Sequence, residues 1–497
     1  MGVRWMKRLA PFSSQIKCFL CPLLLSFIPK RTVLTSLRSW RTSGFHKLLP
    51  IAVTALLPIV LFPFFGVATA KDTSSVYFSD SNVLFFGSMV LAVAVEASNF
   101  HERVALRILL LTGPNPRRLL LGFMSATSVL STRPPPPLMV PIVVAVIREL
   151  ESCRANDLEG QVEPLEAHDV GNEDGTLDLS GVPKERVDIY KALLLSTCFT
   201  ASSAGTIMLT ATGANIVLSG FMEDRYGNAQ PITFASWILY SLPISGLLVV
   251  VTYFWLIVLF IGFKSFDDSQ SHLIINLLRK KYGMLGPIRY IEKNLMVVFV
   301  VIVLLWLFRD PKVIWGWGNI FLDGYVSDGT VALVVCLALF IMPAENPFTY
   351  DSKQRMPTIM NWSHMSKFSW STFLLLGGGY GIARVERSGL SDLLSHWLAT
   401  FNHLPDWTMI LLSGILVTFL TEFSSNITTA SVFIPMMDNM ARARHANPLL
   451  FILPAKAGVV LNIVGFALTQ LLTISYGDWI FGLNSYPNWA NHNATMA

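Results

Sequence analysis

Long apolar blocks with few charged residues recur along this chain, and they restrict it to folds that lie in a membrane. The blocks cover 48–67, 83–95, 119–130, 138–147, 192–221, 232–263, 295–308, 331–342, 368–382, 407–420 and 449–474. Hydrophobic residues fill 53% of the 497 positions and charged residues 14%, whereas a soluble domain carries about a quarter charged residues. At about 20 residues per span, this length accommodates roughly ten spans. The pattern predicts an all-α polytopic membrane protein.

Several blocks are too short for a complete span. Blocks 83–95, 119–130 and 138–147 fall near the range of about 10 to 14 residues that indicates re-entrant or broken helices. The triplet Gly377-Gly378-Gly379 interrupts a further apolar block. Because each glycine weakens a helix by roughly 1 kcal/mol, we expect a break or a hinge at this triplet.

The charged segments predict which loops lie in the cytoplasm. Segment 151–188 is strongly acidic and has no apolar periodicity, which is typical of a flexible solvated loop. The main basic cluster falls in 264–294, and the positive-inside rule makes that loop cytoplasmic. Asn493 begins a glycosylation sequon, which is used only if the C-terminal tail lies outside the cell.

A polar stretch, TEFSSNITT, interrupts an apolar block at 421–429. Each unpaired backbone group costs several kcal/mol in hydrocarbon, so a break there is tolerated where the freed carbonyls coordinate an ion and a half-helix N-terminus faces an anion. Asn426 and its hydroxyl neighbours supply the oxygen ligands that a hard cation such as sodium requires. A continuous span whose Ser and Thr side chains bond to their own helix is an equal alternative.

A second stretch of small and hydroxyl residues, GTIMLTATGANIVL, lies at 205–218. Gly213 permits a bend, and Thr212 and Asn215 flank it with polar groups. Small residues also allow helices to approach closely, so tight helix packing is the alternative interpretation.

Together these segments resemble the divalent anion/sodium symporters, the animal transporters of di- and tricarboxylates and of sulfate. That family has a Ser-Asn-Thr hairpin tip in each of two inverted repeats, each tip followed by a broken helix with a Gly/Pro-Asn turn. Ser425-Asn426-Ile427 resembles the second tip, and residues 212–215, TGAN, resemble the first broken helix. The resemblance covers most of the chain outside the first 45 residues and the acidic loop.

The resemblance implies an inverted-repeat transporter with re-entrant hairpins and broken helices that works by alternating access. Ser425 and Asn426 would hold sodium and meet a substrate carboxylate, and Thr421 would add a carbonyl oxygen to a second sodium site. Thr212 and Asn215 would line the facing half of the same site. Sodium would be the coupling ion, with no other cofactor. The family also implies a homodimer in the plasma membrane.

On this basis the chain divides into eight segments. They are a basic leader with a truncated first helix (1–45), first-repeat scaffold helices and a degenerate first hairpin (46–150), an acidic cytoplasmic loop (151–188), the first-repeat broken helix and following span (189–263), a basic cytoplasmic loop (264–294), second-repeat scaffold helices (295–367), the second hairpin, its tip and the last helix (368–476), and a C-terminal tail (477–497).

Two departures from the family pattern affect the predicted site. The first tip is replaced by TRPPPP at 132–137, and consecutive prolines cannot continue a helix or donate backbone hydrogen bonds. After Pro454 the chain omits the second broken helix. Each repeat therefore keeps one of its two site elements. A one-base shift of codons for Asn-Thr-Ala-Thr-Thr reads Thr-Arg-Pro-Pro, so a frame error is one explanation of the first departure.

The leading functional hypothesis is sodium-coupled uptake of di- or tricarboxylates of the succinate and citrate class. One alternative is a sulfate/sodium symporter, and another is a non-transporting membrane variant that associates with intact subunits. An enzyme is not expected, because Glu96, His101 and Glu102 are the only inviting catalytic groups and no catalytic motif accompanies them. For Glu96 we expect a structural bond to a neighbouring helix. A nucleic-acid partner is not expected, because the sequence has no basic stripe interleaved with exposed aromatic residues.

Overall fold

The computed structural model describes most of the region between residues 50 and 453. The described stretches are 50–66, 68–113, 115–130, 182–227, 230–262, 271–312, 314–322, 324–349, 356–384, 405–421 and 426–453, with short pieces between 139 and 148 and between 476 and 481. The predicted glycosylation site Asn493, the proline run and the acidic loop up to residue 181 lie outside these stretches.

Helices account for the ordered elements of the described residues, which contain no β-strand beyond one isolated bridge between Pro343 and Thr358. They are α1 Ile51–Thr54, α2 Leu57–Phe64, α3 Ala70–Ser75, α4 Asp80–Ala97, α5 Phe100–Thr112, α6 Pro116–Leu130, α7 Lys184–Ala204, α8 Gly213–Tyr226, α9 Phe234–Leu256, α10 Ser271–Met284, α11 Tyr290–Leu307, α12 Asp328–Ile341, α13 Trp370–Arg384, α14 Asp406–Thr421, α15 Asn426–Ala443, α16 Pro448–Ile452 and α17 Asp478–Phe481. The chain is thus an all-α polytopic membrane protein, as predicted.

Three described helical stretches are long and apolar enough to cross a membrane: Ala70–Ala97, Phe234–Ile261 and Tyr290–Leu307. The expectation that block 83–95 is a re-entrant or broken element was wrong. Polar residues at the start of α4, beginning with Asp80, belong to the same helix, so hydropathy alone underestimated its length. Asn82 is buried and donates from its side chain to the carbonyl of Tyr77, which makes this polar start compatible with a packed helix.

One end of the molecule, here called the basic end, gathers the end of α4 and the beginning of α11. The Arg103 guanidinium donates to the carbonyls of Leu285 and Gly286 at 2.8 and 2.9 Å. Its Nε also lies 2.9 Å from the Glu292 carboxylate. Both side chains are buried, and removing one partner of a buried ion pair typically costs about 3–5 kcal/mol. This contact therefore fixes the α10–α11 turn against α5.

The opposite end, here called the acidic end, gathers the beginnings of α4 and α12. The Ser327 hydroxyl, which caps α12, also donates to the Asp80 carboxylate. Arg309 forms a salt bridge with Asp328, the first residue of α12. Glu223, near the end of α8, lies within electrostatic range of Asp80 and Asp328. The α8 helix therefore ends at the acidic end.

The helices bury two hydrophobic clusters. The larger joins α4, α8, α11, α12, α13 and α15 with the first half of α9, and the second joins α5, α6 and α7 with the Ile257–Ile261 π-turn at the end of α9. Within the larger cluster α4 crosses α12 closely, because a Cβ at Gly87 would lie 2.8 Å from the Ala332 carbonyl oxygen. Glycine at this position permits a backbone contact that any side chain would prevent.

The glycine triplet does not break its helix, contrary to our expectation. Helix α13 runs without interruption from Trp370 to Arg384, and each glycine faces a neighbour that a side chain would meet. An added Cβ would lie 2.4 Å from the Tyr77 ring at Gly377, 2.7 Å from the Ala55 carbonyl oxygen at Gly378 and 2.7 Å from a hydroxyl at Gly379. Close packing therefore offsets the intrinsic helix penalty of glycine.

Glu96 forms the structural bond expected of it, since its carboxylate lies 3.5 Å from the Lys367 ammonium group. The division of the chain into scaffold, hairpin and loop segments stays a prediction. The N-terminal leader and the tail after residue 481 fall outside the described residues.

Candidate functional site

The predicted break in the first half of the chain lies between α7 and α8. Helix α7 ends at Ala204, and α8 begins at Gly213 with Thr212 in extended conformation before it. The side chain of Thr212 makes no capping hydrogen bond. Asn215 is 1% exposed, and its side-chain amide donates to the carbonyls of Thr206 and Met208 at 3.4 and 3.2 Å. Asn215 thus ties the interruption to the helix that follows it.

One face of α9 makes three further hydrogen bonds to the first part of segment 205–212. The Trp237 indole N–H donates to the Thr206 carbonyl at 3.0 Å, and the Ser241 hydroxyl donates to the Ile207 carbonyl at 2.9 Å. The hydroxyls of Thr206 and Ser245 lie 2.6 Å apart. These three α9 residues are spaced by four, so they share one helix face. Helix α9 therefore stabilises the interruption together with Asn215, which lies on α8.

The second interruption separates α14 from α15, which pack together as a helical hairpin. The Arg444 Nε donates to Asp406 Oδ1 at 2.9 Å and closes the base of the hairpin. At the other end α14 stops at Thr421 and α15 starts at Asn426. The Thr421 hydroxyl donates to the Thr418 carbonyl at 2.8 Å, and the Asn426 side chain is exposed. The tip residues 422–425, including Ser425, lie outside the described residues.

The two interruptions meet where α8 and α15 begin. An added Cβ at Gly213 would lie 2.6 Å from Ile427 Cδ1, and one at Gly379 would lie 3.3 Å from Ile427 Cγ2. The Tyr380 hydroxyl, on the same helix as Gly379, donates to the Ile216 carbonyl at 2.6 Å. Glycines on two helices therefore let the start of α15 approach α8 and α13 closely.

This arrangement directs two helix N-termini at one region. Each helix N-terminus carries roughly half a positive charge and unpaired N–H groups, and both favour an anion. The C-terminus of α14 at Thr421 carries carbonyl oxygens without helical partners and the opposite partial charge. The same region therefore offers donors to an anion and oxygen ligands to a hard cation.

The sequence matches the profile of one membrane-protein family over most of its length. The profile describes the sodium:sulfate symporter transmembrane region, and it aligns with residues 43–469. The chain belongs to the sodium:sulfate symporter family.

Individual relatives agree with this assignment to the symporter family. Solute carrier family 13 member 2 of Oryctolagus cuniculus is 34% identical over 90% of this chain and 89% of its own length. The Na(+)/citrate cotransporter of Rattus norvegicus is 31% identical over 89% of this chain and 90% of its own. The Na(+)/dicarboxylate cotransporter 3 of Mus musculus is 29% identical over 96% and 93%.

Within this symporter, four of the five residues predicted to bind substrate or sodium lie in the described part of the chain. Thr212 and Asn215 flank the start of α8, and Asn426 begins α15 beside it. Thr421 ends α14 on the other side of the undescribed tip. The side-chain amide of Asn215 donates to two backbone carbonyls, so Asn215 stabilises the backbone next to the site.

A buried polar cluster near the far ends of α8 and α15 was missed by the sequence analysis. The Tyr226 hydroxyl donates to Asp438 Oδ1, and the Arg225 Nε lies 3.6 Å from Asp438 Oδ2. Asp438 is fully buried. Because α8 and α15 also touch at their beginnings, these contacts fix the two helices against each other along their whole length.

Two sequence signals could have indicated these supporting residues. Trp237, Ser241 and Ser245 repeat every four positions inside an otherwise apolar helix, which is the signature of a polar face. An aspartate inside an apolar helix by itself indicates a functional or structural role, and Asp438 is such a residue. Its partner Tyr226, 212 residues away, gives no such signal.

Proposed function

We propose that this protein is a secondary active transporter that couples the uptake of di- or tricarboxylates to sodium. The observation that carries the proposal is the convergence of the α8 and α15 N-termini at Gly213 and Ile427. A carboxylate of the succinate or citrate class would lie between these N-termini. The names of relatives that match most of this chain, a Na(+)/citrate and a Na(+)/dicarboxylate cotransporter, support the substrate class.

Sodium would be carried as cargo beside the anion. Its ligands would come from the end of α14 at Thr421, from the tip residue Ser425 and from Asn426, all of which supply oxygen atoms. Thr212 would contact the anion from the α8 side, and Asn215 would position Thr212 by holding segment 205–212. The domain that carries the site, with α8 and α15 moving together, would move past a scaffold in an alternating-access cycle, in a homodimer at the plasma membrane. No catalytic step and no further cofactor are needed.

Uptake into vesicles tests this proposal directly. The purified full chain, reconstituted in liposomes, should accumulate labelled succinate or citrate when sodium is high outside, and should not when potassium replaces sodium. Asn426→Ala should lower uptake roughly 10- to 100-fold, because a hydrogen bond to a charged group contributes about 1.5–3 kcal/mol. Asn276→Ala, at an exposed position on α10, is the matched control and should transport normally.

The two alternatives give different results in the same assay. Sulfate that competes with succinate and is itself accumulated would favour a sulfate/sodium symporter, a substrate that the family's description includes. Absence of any sodium-driven flux by protein that elutes as a folded species would favour a non-transporting variant. Restored flux on mixing with an intact relative would then indicate association with complete subunits.

A further inference from the structure

One surface at the basic end combines exposed cations with exposed apolar side chains. We call it the basic surface and define it by Arg279, Lys280, Met284, Ile288, Arg289 and Lys293. Its two apolar members, Met284 at the end of α10 and Ile288 in the turn after it, are 74% and 46% exposed. Exposed apolar side chains rimmed by polar residues mark a site of interaction with a protein or a membrane.

The backbone beneath the basic surface is fixed. The Arg103 guanidinium lies 5.7 Å from the centre of the Tyr282 ring. It also donates to the carbonyls of Leu285, Gly286 and Pro287. These contacts hold the turn between α10 and α11 against α5. The cations on α10 and at the start of α11 thus flank a turn that is held in place.

Within the described stretch from α10 to the start of α11, the cations of the basic surface have little acid to neutralise them. Glu292 is the only carboxylate between residues 271 and 293, and it is 1% exposed. Its oxygens lie 2.9 Å from Arg103 and 3.1 Å from Arg289. Because the buried Arg103 matches the charge of Glu292, the exposed cations keep a net positive field. Glu102 on the neighbouring helix α5 is half-buried and adds one further carboxylate nearby.

The basic surface lies at the boundary of the membrane. Helix α11, one of the three described spans, begins at Tyr290, so Arg289 and Lys293 flank the point where the chain enters the bilayer. The positive-inside rule makes this the cytoplasmic boundary. The cytoplasmic leaflet carries anionic phospholipids, which attract clustered Lys and Arg by about 1 kcal/mol per residue. Exposed apolar side chains beside such cations insert at the level of the headgroups.

We propose that the basic surface is a binding site for anionic phospholipids of the cytoplasmic leaflet. The headgroup phosphate and carboxylate pair with Arg279, Lys280 and Lys293, and Met284 and Ile288 contact the upper acyl chains. This site lies on α10, the turn after it and the start of α11, and it is separate from the transported anion, which would lie at the beginnings of α8 and α15.

Photoactivatable lipids test the proposal on the full chain. The protein is reconstituted in vesicles of phosphatidylcholine alone or of an equimolar mixture with phosphatidylserine, each with a trace of the matching photoactivatable lipid. Peptides covering 279–293 should be labelled preferentially by the phosphatidylserine probe. The triple variant Arg279→Gln/Lys280→Gln/Lys293→Gln should lose that preference, and Lys280→Gln alone should weaken it roughly fivefold.

Lys71→Gln, at an exposed lysine outside the basic surface, is the matched control and should be labelled as the parent protein is. Met284→Ser/Ile288→Ser should reduce labelling while keeping the preference for phosphatidylserine. Equal labelling of 279–293 by both probes would overturn the proposal. So would unchanged preference in Lys280→Gln, a variant at an exposed position that folds independently of the Arg103 contacts.

Discussion

The two interrupted helices that meet at Gly213 and Ile427 are supported in different ways. Segment 205–212 receives hydrogen bonds from Asn215 and from one face of α9. Around the second interruption, the described contacts lie at the hairpin base, where Asp406 pairs with Arg444, and along the sides of α15. Helix α9 thus holds the first interruption by hydrogen bonds, whereas the described contacts of the second are the ion pair at the hairpin base and the packing of α15 against α8 and α13.

This difference distinguishes a segment that positions the site from a hairpin that binds the transported ions. Several carbonyls of segment 205–212 already accept hydrogen bonds from Trp237, Ser241 and Asn215, so the segment offers few groups to a ligand. We call this segment the wall of the site. The hairpin carries the exposed Asn426 one residue before Ile427, which reaches Gly213 at the start of α8. We expect substitutions at the first interruption to change stability first, and substitutions at the second to change transport first.

The largest stability effect should follow Asn215→Ala. Removal of the side-chain amide deletes two buried hydrogen bonds, to the Thr206 and Met208 carbonyls, and at about 0.5–1.5 kcal/mol each this costs about 1–3 kcal/mol. The apparent melting temperature in detergent should fall clearly, and uptake should fall with it. Asn426→Ala should leave the melting temperature nearly unchanged. If Asn215→Ala and Asn426→Ala lower the melting temperature equally, the proposed difference between the first and the second interruption is wrong.

A smaller loss should follow Tyr226→Phe, which keeps the ring and removes the hydroxyl that reaches Asp438. The buried carboxyl group then keeps only the charges of Arg225 and Arg442 among the interactions described, at a cost of about 1–2 kcal/mol. Because the contact fixes α15 against α8 far from the site, maximal uptake should fall while the substrate concentration at half-maximal uptake stays close to that of the parent protein.

Tyr325→Phe, at a position that is 75% exposed, is the matched control for Tyr226→Phe and should behave as the parent protein. A change confined to the half-maximal concentration of Tyr226→Phe would contradict a positioning role. It would mean that this hydroxyl acts on the substrate site itself.

The smallest effect should come from Gly213→Ala, which tests the contact between the two interruptions. The new methyl group would lie 2.6 Å from Ile427 Cδ1, and overpacking of this kind costs about 1 kcal/mol when the neighbour can move. Ile427→Ala in the same chain should recover part of the lost stability. Gly246→Ala is the control, since a methyl group there meets no atom within 4 Å.

If Ile427→Ala gives no recovery in the Gly213→Ala background, α8 and α15 do not meet as described. The measurement is again the apparent melting temperature of both single variants and of the double variant. An interaction energy that differs from zero indicates direct contact.

The sequence predicted the segments that form the site better than it predicted the residues that hold those segments in place. The hydroxyl-rich stretches near Thr212 and Asn426 indicated both interruptions, because polar residues inside apolar blocks are costly without a purpose. The family resemblance predicted that they face each other. The meeting of Tyr226 with Asp438 could not be predicted, since no local pattern relates two positions so far apart in the chain.

The fold was predictable in class but not in detail. The Gly377 triplet was expected to be a hinge from helix propensity alone, and its helix is continuous because neighbouring backbone packs against the glycines. Block 83–95 was judged by hydropathy, which excludes the polar start at Asp80. In both cases tertiary packing outweighed the local signal.

The contact between Tyr226 and Asp438 also has a consequence for biosynthesis. The two residues are 212 positions apart in the chain, and ribosomes add about 5–20 residues per second. Helix α8 therefore waits roughly 10–40 s in the membrane before α15 emerges. During that interval Arg225 and Tyr226 have no Asp438, so the nascent chain is exposed to insertion errors and quality control until its last third arrives.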